Sequence, residues 1–242
     1  MRLLIDWGNT RLKWRYVDAG KRSEVEAIAW KDRPLGELFG EQWRSLQPER
    51  VLVCSVLSPL IEEKLTTWVE RVWGLPVEWL RSSAALLGVR NGYQNPQQLG
   101  NDRWAALLAA RRFCRSDLCM ISAGSALTMD CLTADGQHLG GQIFPGLQGL
   151  RRALMNDVGL LTEQGQAVWL AKNTADGIVG GTLHGLASVV TAFVNQCEIN
   201  LSVPVKVLMT GGDALLLNRV LGLEAVLLPD LILQGVECWV DR

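Results

Sequence analysis

The sequence predicts an α/β fold built as two similar halves, and two observations predict it. An apolar strand, a glycine-bearing turn and a second strand occur at residues 3–17 and again at 118–133. A strand, a turn and an amphipathic helix then follow in each half, starting at Val51 and at Val205. Sliding the chain by 116 positions, close to half of its 242 residues, sets Ile5 on Ile121, Gly8 on Gly124 and Gly20 on Gly136. The expected domains are 1–116 and 117–242, with a cleft between them lined by glycine turns, a favourable place for a phosphate-bearing ligand.

Each element has a local reason. Leu3-Leu4-Ile5 stops at Asp6-Trp7-Gly8-Asn9-Thr10, and apolar and polar residues alternate from Leu12 to Val17 before Asp18-Ala19-Gly20, the pattern of a β-hairpin. Leu118–Ile121, Ser122–Ser125, Leu127–Thr133 and Ala134-Asp135-Gly136 repeat that order. Val51–Val56 reads as a strand, and the helix after it sets Leu60, Ile61, Leu65, Trp68, Val69 and Trp73 on one side. Asp102 to Arg115 reads as a helix with Asp102 as N-cap and Trp104, Leu107, Leu108 and Phe113 on its buried side. Thr182 to Cys197 reads as another, and Val205–Met209 as a strand that runs through Thr210-Gly211-Gly212 into a helix from Asp213. Gly159–Gly165 and Asn173–Gly181 read as turn-rich.

Composition narrows the function. Hydrophobic residues make up 48% and charged residues 20%, which supports a packed core and excludes a disordered chain. Lys plus Arg number 24 against 25 Asp plus Glu, so no broad basic surface for a nucleic-acid partner is expected. Asp6 interrupts the apolar start, which argues against a signal peptide. The longest apolar stretch, Leu183 to Val194, is broken by His184, Ser188 and Thr191, so no membrane partner is expected either. Six cysteines without a CxxC pair read as reduced core thiols of a cytoplasmic protein, and two histidines, His138 and His184, give a zinc site few ligands. Eight of ten tryptophans lie in the first 116 residues; Trp68, Trp73 and Trp104 read as core or dimer-contact residues, and Trp7 as a shield over the first turn.

Three constellations can carry chemistry. In Asp6-x-Gly8-Asn9-Thr10-x-x-Lys13, Gly8 would let backbone amides approach a phosphate, Asn9 and Thr10 would bond to it, Lys13 would neutralise charge, and Asp6 would hold Mg²⁺ through water. An ordinary β-turn with a solvated lysine is an equal reading of those residues. In Tyr93-x-x-Pro96-x-x-Leu99-Gly100-x-Asp102-Arg103, Asp102 is a candidate general base and Arg103 a bidentate clamp for a carboxylate. From spacing alone, an N-cap followed by a solvated arginine is the favoured reading there. In the third, Ser125 and Thr128 flank a second phosphate-like cradle that begins at Ser122.

Taken in order, these motifs, with Gly140-Gly141-x-Ile143-x-Pro145-Gly146, Asn173-Thr174 and Thr210-Gly211-Gly212-Asp213-Ala214, resemble the type III pantothenate kinases of the acetate and sugar kinase, heat-shock chaperone ATPase and actin superfamily. The resemblance implies two actin-like (ribonuclease H-like) α/β domains and ATP-dependent phosphorylation of pantothenate, the first step towards coenzyme A, by a homodimer. It implies ATP contacts along Asp6, Trp7, Gly8, Asn9, Thr10, Arg11, Leu12 and Lys13 and at Ser125, with Mg²⁺ at Asp6. It implies pantothenate contacts at Tyr93, Gly100, Asn101, Asp102, Arg103 and Thr174, with Asp102 taking or orienting the hydroxyl proton. One departure stands out. The family's cation-binding aspartate is Ser122 here and its threonine is Ser125, which removes the usual carboxylate ligand for K⁺ or NH₄⁺ and leaves monovalent-cation activation open. Two other classes stay open beside the kinase, a catalytically weak relative acting as a regulatory or transcriptional accessory protein, and a phosphatase or sugar kinase on the same fold. Intact Asp6, Lys13, Asp102 and Arg103 argue against the first, and the Tyr93 to Arg103 segment argues against the second.

Overall fold

Leu3, Leu4, Ile5 and Trp7 are all fully buried because the strand they form, β1 (Arg2–Trp7), has a neighbour on each side and helices on both faces. The computed structural model describes residues 1–159 and 164–240, which divide into two compact units. The first is Met1–Phe113 with the segment that begins at Asp230; the second is Cys114–Pro229. Relative to the expected domains, the border lies three residues earlier and the last segment packs with the first unit.

In the first unit, β1 pairs antiparallel with β2 (Arg11–Asp18), which also pairs with β3 (Lys21–Arg22) and β4 (Glu26–Ala29). On its other side β1 runs parallel to β5 (Arg50–Ser55), followed by β6 (Val77–Leu80). Helices α1 (Leu35–Trp43) and α2 (Pro59–Trp73) cover one sheet face, where Leu3, Ile5, Trp7, Leu12 and Trp14 meet Phe39, Trp43 and Trp68. The aromatic rings there meet mostly edge to face, as in Trp7 against Trp30 at 5.7 Å and Trp14 against Trp43 at 5.5 Å, the arrangement that ring quadrupoles favour. Because side chains alternate along a strand, Leu4, Asp6, Lys13 and Arg15 face the other way. A short ribbon of β7 (Ala85–Leu86) and β8 (Val89–Arg90) leads to α3 (Asn101–Phe113).

The second unit repeats the plan. β9 (Leu118–Ala123) pairs antiparallel with β10 (Ala126–Leu132), which pairs with β11 (His138–Pro145). After α4 (Leu147–Val158) and α5 (Thr174–Leu201), β12 (Lys206–Thr210) runs parallel to β9, and past α6 (Ala214–Leu221) β13 (Ala225–Leu227) runs parallel to β12. The offset of 116 is true of β1 and β9 residue for residue. The second turn is one residue shorter, pairing Ala123 with Leu127 where the first pairs Trp7 with Leu12, so the following strands match at 115 and Gly20 and Gly136 are not equivalent.

The last helix, α7 (Leu231–Val240), returns to the first unit beside α3. It is pinned there by ion pairs from Arg22 to Glu237 at 2.9 Å and from Arg15 to Asp230 at 3.6 Å.

Several expectations are corrected. α3 starts at Asn101, and the Trp104 amide donates to the Gly100 carbonyl at 2.9 Å, so Gly100 is the cap and Asp102 lies in the first turn. Phe113, at the helix end, is half exposed. α5 begins at Thr174, eight residues before Thr182, because Asn173 caps it by accepting the Asp176 amide at 2.9 Å. Gly177, Gly180 and Gly181 are helical rather than turn residues, and Gly180 serves packing: a Cβ there would lie 2.3 Å from the Val168 carbonyl oxygen. Within the turn-rich stretch 159–165, residues 160–163 lie outside the described residues. By length and composition α5 is able to cross a membrane, yet over half of its most apolar window is buried, with Leu183, Leu186, Val190 and Val194 in the core of its unit.

The α3–α7 contact depends on Gly235, where a Cβ would lie 2.0 Å from the Ala105 carbonyl oxygen. Gly235→Ala is expected to lower stability by about 3 kcal/mol or more, since helix backbones cannot give way as a side-chain tip does. A thermal or denaturant unfolding curve checks it.

Candidate active site

Asp6 sits next to the C-terminal end of β1, on the face covered by α3 and α7, and its residue is only 8% exposed. Its register partner across the hairpin is Lys13. Burial pushes its carboxyl up to about 7; Lys13 pulls it back, and the nearby carboxylates of Asp102 and Asp230 push it further. This is a carboxyl short of positive charge. It fits an oxygen-seeking divalent cation, which would supply that charge.

The turn after Asp6 is tightly tied. The Gly8 amide donates to the Arg11 carbonyl at 3.0 Å, and the Gly8 carbonyl accepts Trp30 Nε1–H at 2.9 Å. The Gly8 amide is therefore engaged within the turn, while Asn9, Thr10 and Arg11 are exposed on it. Trp7 and Leu12 are fully buried on the opposite sheet face, so Trp7 forms core and its indole does not cover the turn.

α3 brings the second carboxylate. Asn101 fixes its start by accepting the Ser82 amide and donating to the Ser55 carbonyl, both at 2.9 Å. Asp102 Oδ1 accepts the Arg103 amide at 2.8 Å and lies where a Cβ on Gly100 would come within 2.6 Å, so glycine at 100 leaves the carboxylate its place. Arg103 is not solvated: it is 4% exposed, donates from Nη1 to the Tyr93 hydroxyl at 2.7 Å, and stands 5.5 Å over the Tyr93 ring. Asn91 orders the loop beneath by accepting the Tyr93 amide and donating to the Ser83 and Pro96 carbonyls. Asp6, Lys13, Tyr93, Gly100, Asn101, Asp102 and Arg103 thus belong to one unit.

Sequence reasoning missed Asp230. It takes a left-handed backbone (φ 60°) at the entrance to α7, pairs with Arg15 and adds its charge to the Asp6 environment. The available signal was Leu228-Pro229-Asp230 before an apolar run, a helix start.

The other expected residues lie in the second unit. Ser122 is half-buried on β9 between register partners Thr128 and Thr210, a row of hydroxyl residues across three strands. Ser125 is exposed in the hairpin turn, and its carbonyl accepts the Gly146 amide at 3.3 Å. Thr174, exposed at the start of α5, lines an open apolar groove of about 700 Å³ with Phe144, Leu150, Leu154 and the small-residue stripe Gly177, Gly181 and Gly185. His138 is fully buried and shares Nε2 with Asp130 Oδ1 at 2.8 Å, a structural pairing.

A family model described as type III pantothenate kinase matches residues 2–196. A type III pantothenate kinase of Halorhodospira halophila is 38% identical over 99% of this chain and 97% of the relative. Two solved structures share the fold. One is described as a conserved putative Baf family transcriptional activator from Campylobacter jejuni (TM-score 0.63, 20% identity, 99% of this chain and 97% of that one). The other is described as a putative 2-dehydro-3-deoxygalactonokinase from Sinorhizobium meliloti (TM-score 0.64, 12% identity, 98% and 97%).

Asp6 should work against stability. Its folded-state carboxyl titrates near 7 against an ordinary 3.8, so folding takes up a proton between those values, and stability falls as pH rises through that window. Asp6→Asn is expected to raise the thermal midpoint of the metal-free protein. The gain should grow from pH 4 to pH 7 and then level, with an upper bound of about 4 kcal/mol. Melts of both proteins across pH check the trend; a gain that shrinks as pH rises contradicts it.

Proposed function

The chain belongs to the type III pantothenate kinase family, and on that premise we propose how its residues divide the work. The protein is an enzyme that transfers a phosphoryl group from ATP to pantothenate, the first step of coenzyme A biosynthesis. Its two α/β units are actin-like. The reaction uses ATP with a metal ion; we assign that ion as Mg²⁺.

One observation carries the assignment of roles: Asp102 stands within electrostatic reach of Asp6 and next to the buried Arg103, which is hydrogen-bonded to Tyr93. Asp102 accepts the proton of the pantothenate hydroxyl as that oxygen attacks the γ-phosphorus. Arg103, hydrogen-bonded to the Tyr93 hydroxyl, binds the pantothenate carboxylate, and Gly100 and Asn101 shape the approach. Asp6 holds Mg²⁺, which when bound neutralises phosphate charge, and Lys13 adds a positive charge from the facing strand. Asn9, Thr10 and Arg11 meet the phosphates from the exposed turn, and Trp7, Gly8 and Leu12 hold the turn that presents them. Ser125 is assigned to ATP and Thr174 to pantothenate.

At Ser122 the neighbouring groups are neutral hydroxyls, so nothing in that row replaces the carboxylate that would hold K⁺ or NH₄⁺. We assign no monovalent cation to it. The open apolar groove beside Thr174 supports a homodimer, because glycines spaced four apart on the exposed side of α5 let a second helix approach closely. Six free thiols support a reducing, cytoplasmic setting, and no nucleic-acid or membrane partner is assigned.

The test is coupled detection of ADP release with and without pantothenate, in Mg²⁺ buffer with K⁺ or with Tris as the sole monovalent cation. Pantothenate-dependent turnover at similar rates in both salts is expected. Asp102→Asn should lower kcat by about 10² to 10⁴-fold while ATP still binds by calorimetry. Arg103→Ala should chiefly raise KM for pantothenate. Unchanged kcat in the first variant, or an ATP-side defect alone in the second, overturns the assignment.

A further inference from the structure

All six cysteines are free thiols, and three of them converge far from one another in sequence. Cys119 on β9, Cys131 on β10 and Cys197 on α5 bring their sulfurs within 4.8 Å of one another. The first two are direct cross-strand partners, and the third arrives from the helix that crosses the sheet. Their exposures are 0%, 4% and 5%, and all three belong to the apolar core of the second unit. Among the described residues no fourth His, Cys, Asp or Glu joins the group.

We propose that these three sulfurs form a binding site for a soft, trivalent, three-coordinate ion, of which arsenite is the probe. The donor set selects by softness: thiolates prefer thiophilic ions, and no hard oxygen ligand is offered. Charge selects further. Three thiolates around a trivalent centre give a neutral product, which an apolar core accepts without the cost of a buried net charge. A divalent ion on the same sulfurs leaves one negative charge, and Zn²⁺ would still want a fourth ligand.

The reaction balances without a redox partner. As(OH)₃ and three thiols give a tris-thiolate and three waters; three As–O and three S–H bonds break, three As–S bonds and three O–H bonds form, and no electrons are transferred. The Cys131 thiol is lowered by interaction with the thiols of Cys119 first and then Cys197, against the pull of burial. Closing the three sulfurs on one atom would clamp the β9–β10 hairpin, which carries Ser122 and Ser125, to α5, which begins with Thr174.

The experiment titrates the reduced full-length protein with sodium arsenite, removes free arsenite by gel filtration, and measures arsenic per chain by elemental mass spectrometry alongside a thermal melt. One arsenic per chain and a raised melting temperature are expected. Cys119→Ser, Cys131→Ser and Cys197→Ser should each abolish retained arsenic. Cys54→Ser, Cys114→Ser and Cys238→Ser should keep it. Where a serine variant does not fold, the alanine variant takes its place, with circular dichroism to confirm structure. Cd²⁺ in a parallel arm should be lost on the same column. No arsenic on the folded protein, arsenic retained without these sulfurs, or Cd²⁺ held as firmly as arsenite overturns the proposal.

Discussion

The first unit is organised around a carboxyl that has been taken out of water. Asp6 is placed next to the end of a strand with neighbours on both sides, where burial raises its protonation midpoint to about 7 and two further carboxylates add to the strain. A fold that needed only stability would place an apolar residue there. What makes the position tolerable is the company it keeps: Lys13 opposite it on the hairpin, and the cation its chemistry calls for. The same position fixes the rest of the site. Of the two helices over that sheet face, α3 carries Asp102 in its first turn, within electrostatic reach of Asp6, and Arg103 beside it must find its partner inside the protein, which it does in Tyr93.

Packing on both sheet faces serves this arrangement. The tryptophan-rich face gives the first sheet a dense, directional core, and the opposite face is held by close helix backbones, with Gly235 against Ala105, and by ion pairs from Arg15 on β2 to Asp230 and from Arg22 on β3 to Glu237 on α7. The second unit has the same strand order with different contents. Where the first places a carboxylate near the strand end, the second has a row of hydroxyl residues, and its core holds a thiol cluster. The scaffold repeats while the chemistry of the halves differs.

Much of this was legible in the sequence, because glycine turns and alternating strands are local signals. The hairpins, the strand at Val51, the strand at Val205 and the motif residues from Asp6 to Arg103 could all be read directly. What escaped depends on tertiary contact. Spacing alone favoured a solvated Arg103, since nothing local announces that Tyr93 sits within 2.7 Å of it. Trp7 read as turn because it adjoins Gly8, yet strand alternation turns it into the core. The glycines of Asn173–Gly181 read as turns because glycine is a weak helix former; at Gly180 it is close approach of the Val168 backbone that calls for glycine. Asp230 was invisible for the same reason: its relevance comes from a helix that returns from the end of the chain.

The proposed action of Asp102 on the acceptor hydroxyl depends on the residues that start α3, which place its carboxylate. Gly100→Ala tests it most directly, because the added Cβ would sit 2.6 Å from Asp102 Oδ1 and must displace that carboxylate, while its approach to Arg103 Cδ, at 3.9 Å, is ordinary van der Waals contact. Steady-state kinetics with pantothenate, paired with calorimetric ATP binding, is the measurement. A large fall in kcat with ATP affinity and melting behaviour retained is the predicted result. Wild-type kcat from a folded Gly100→Ala protein would contradict it.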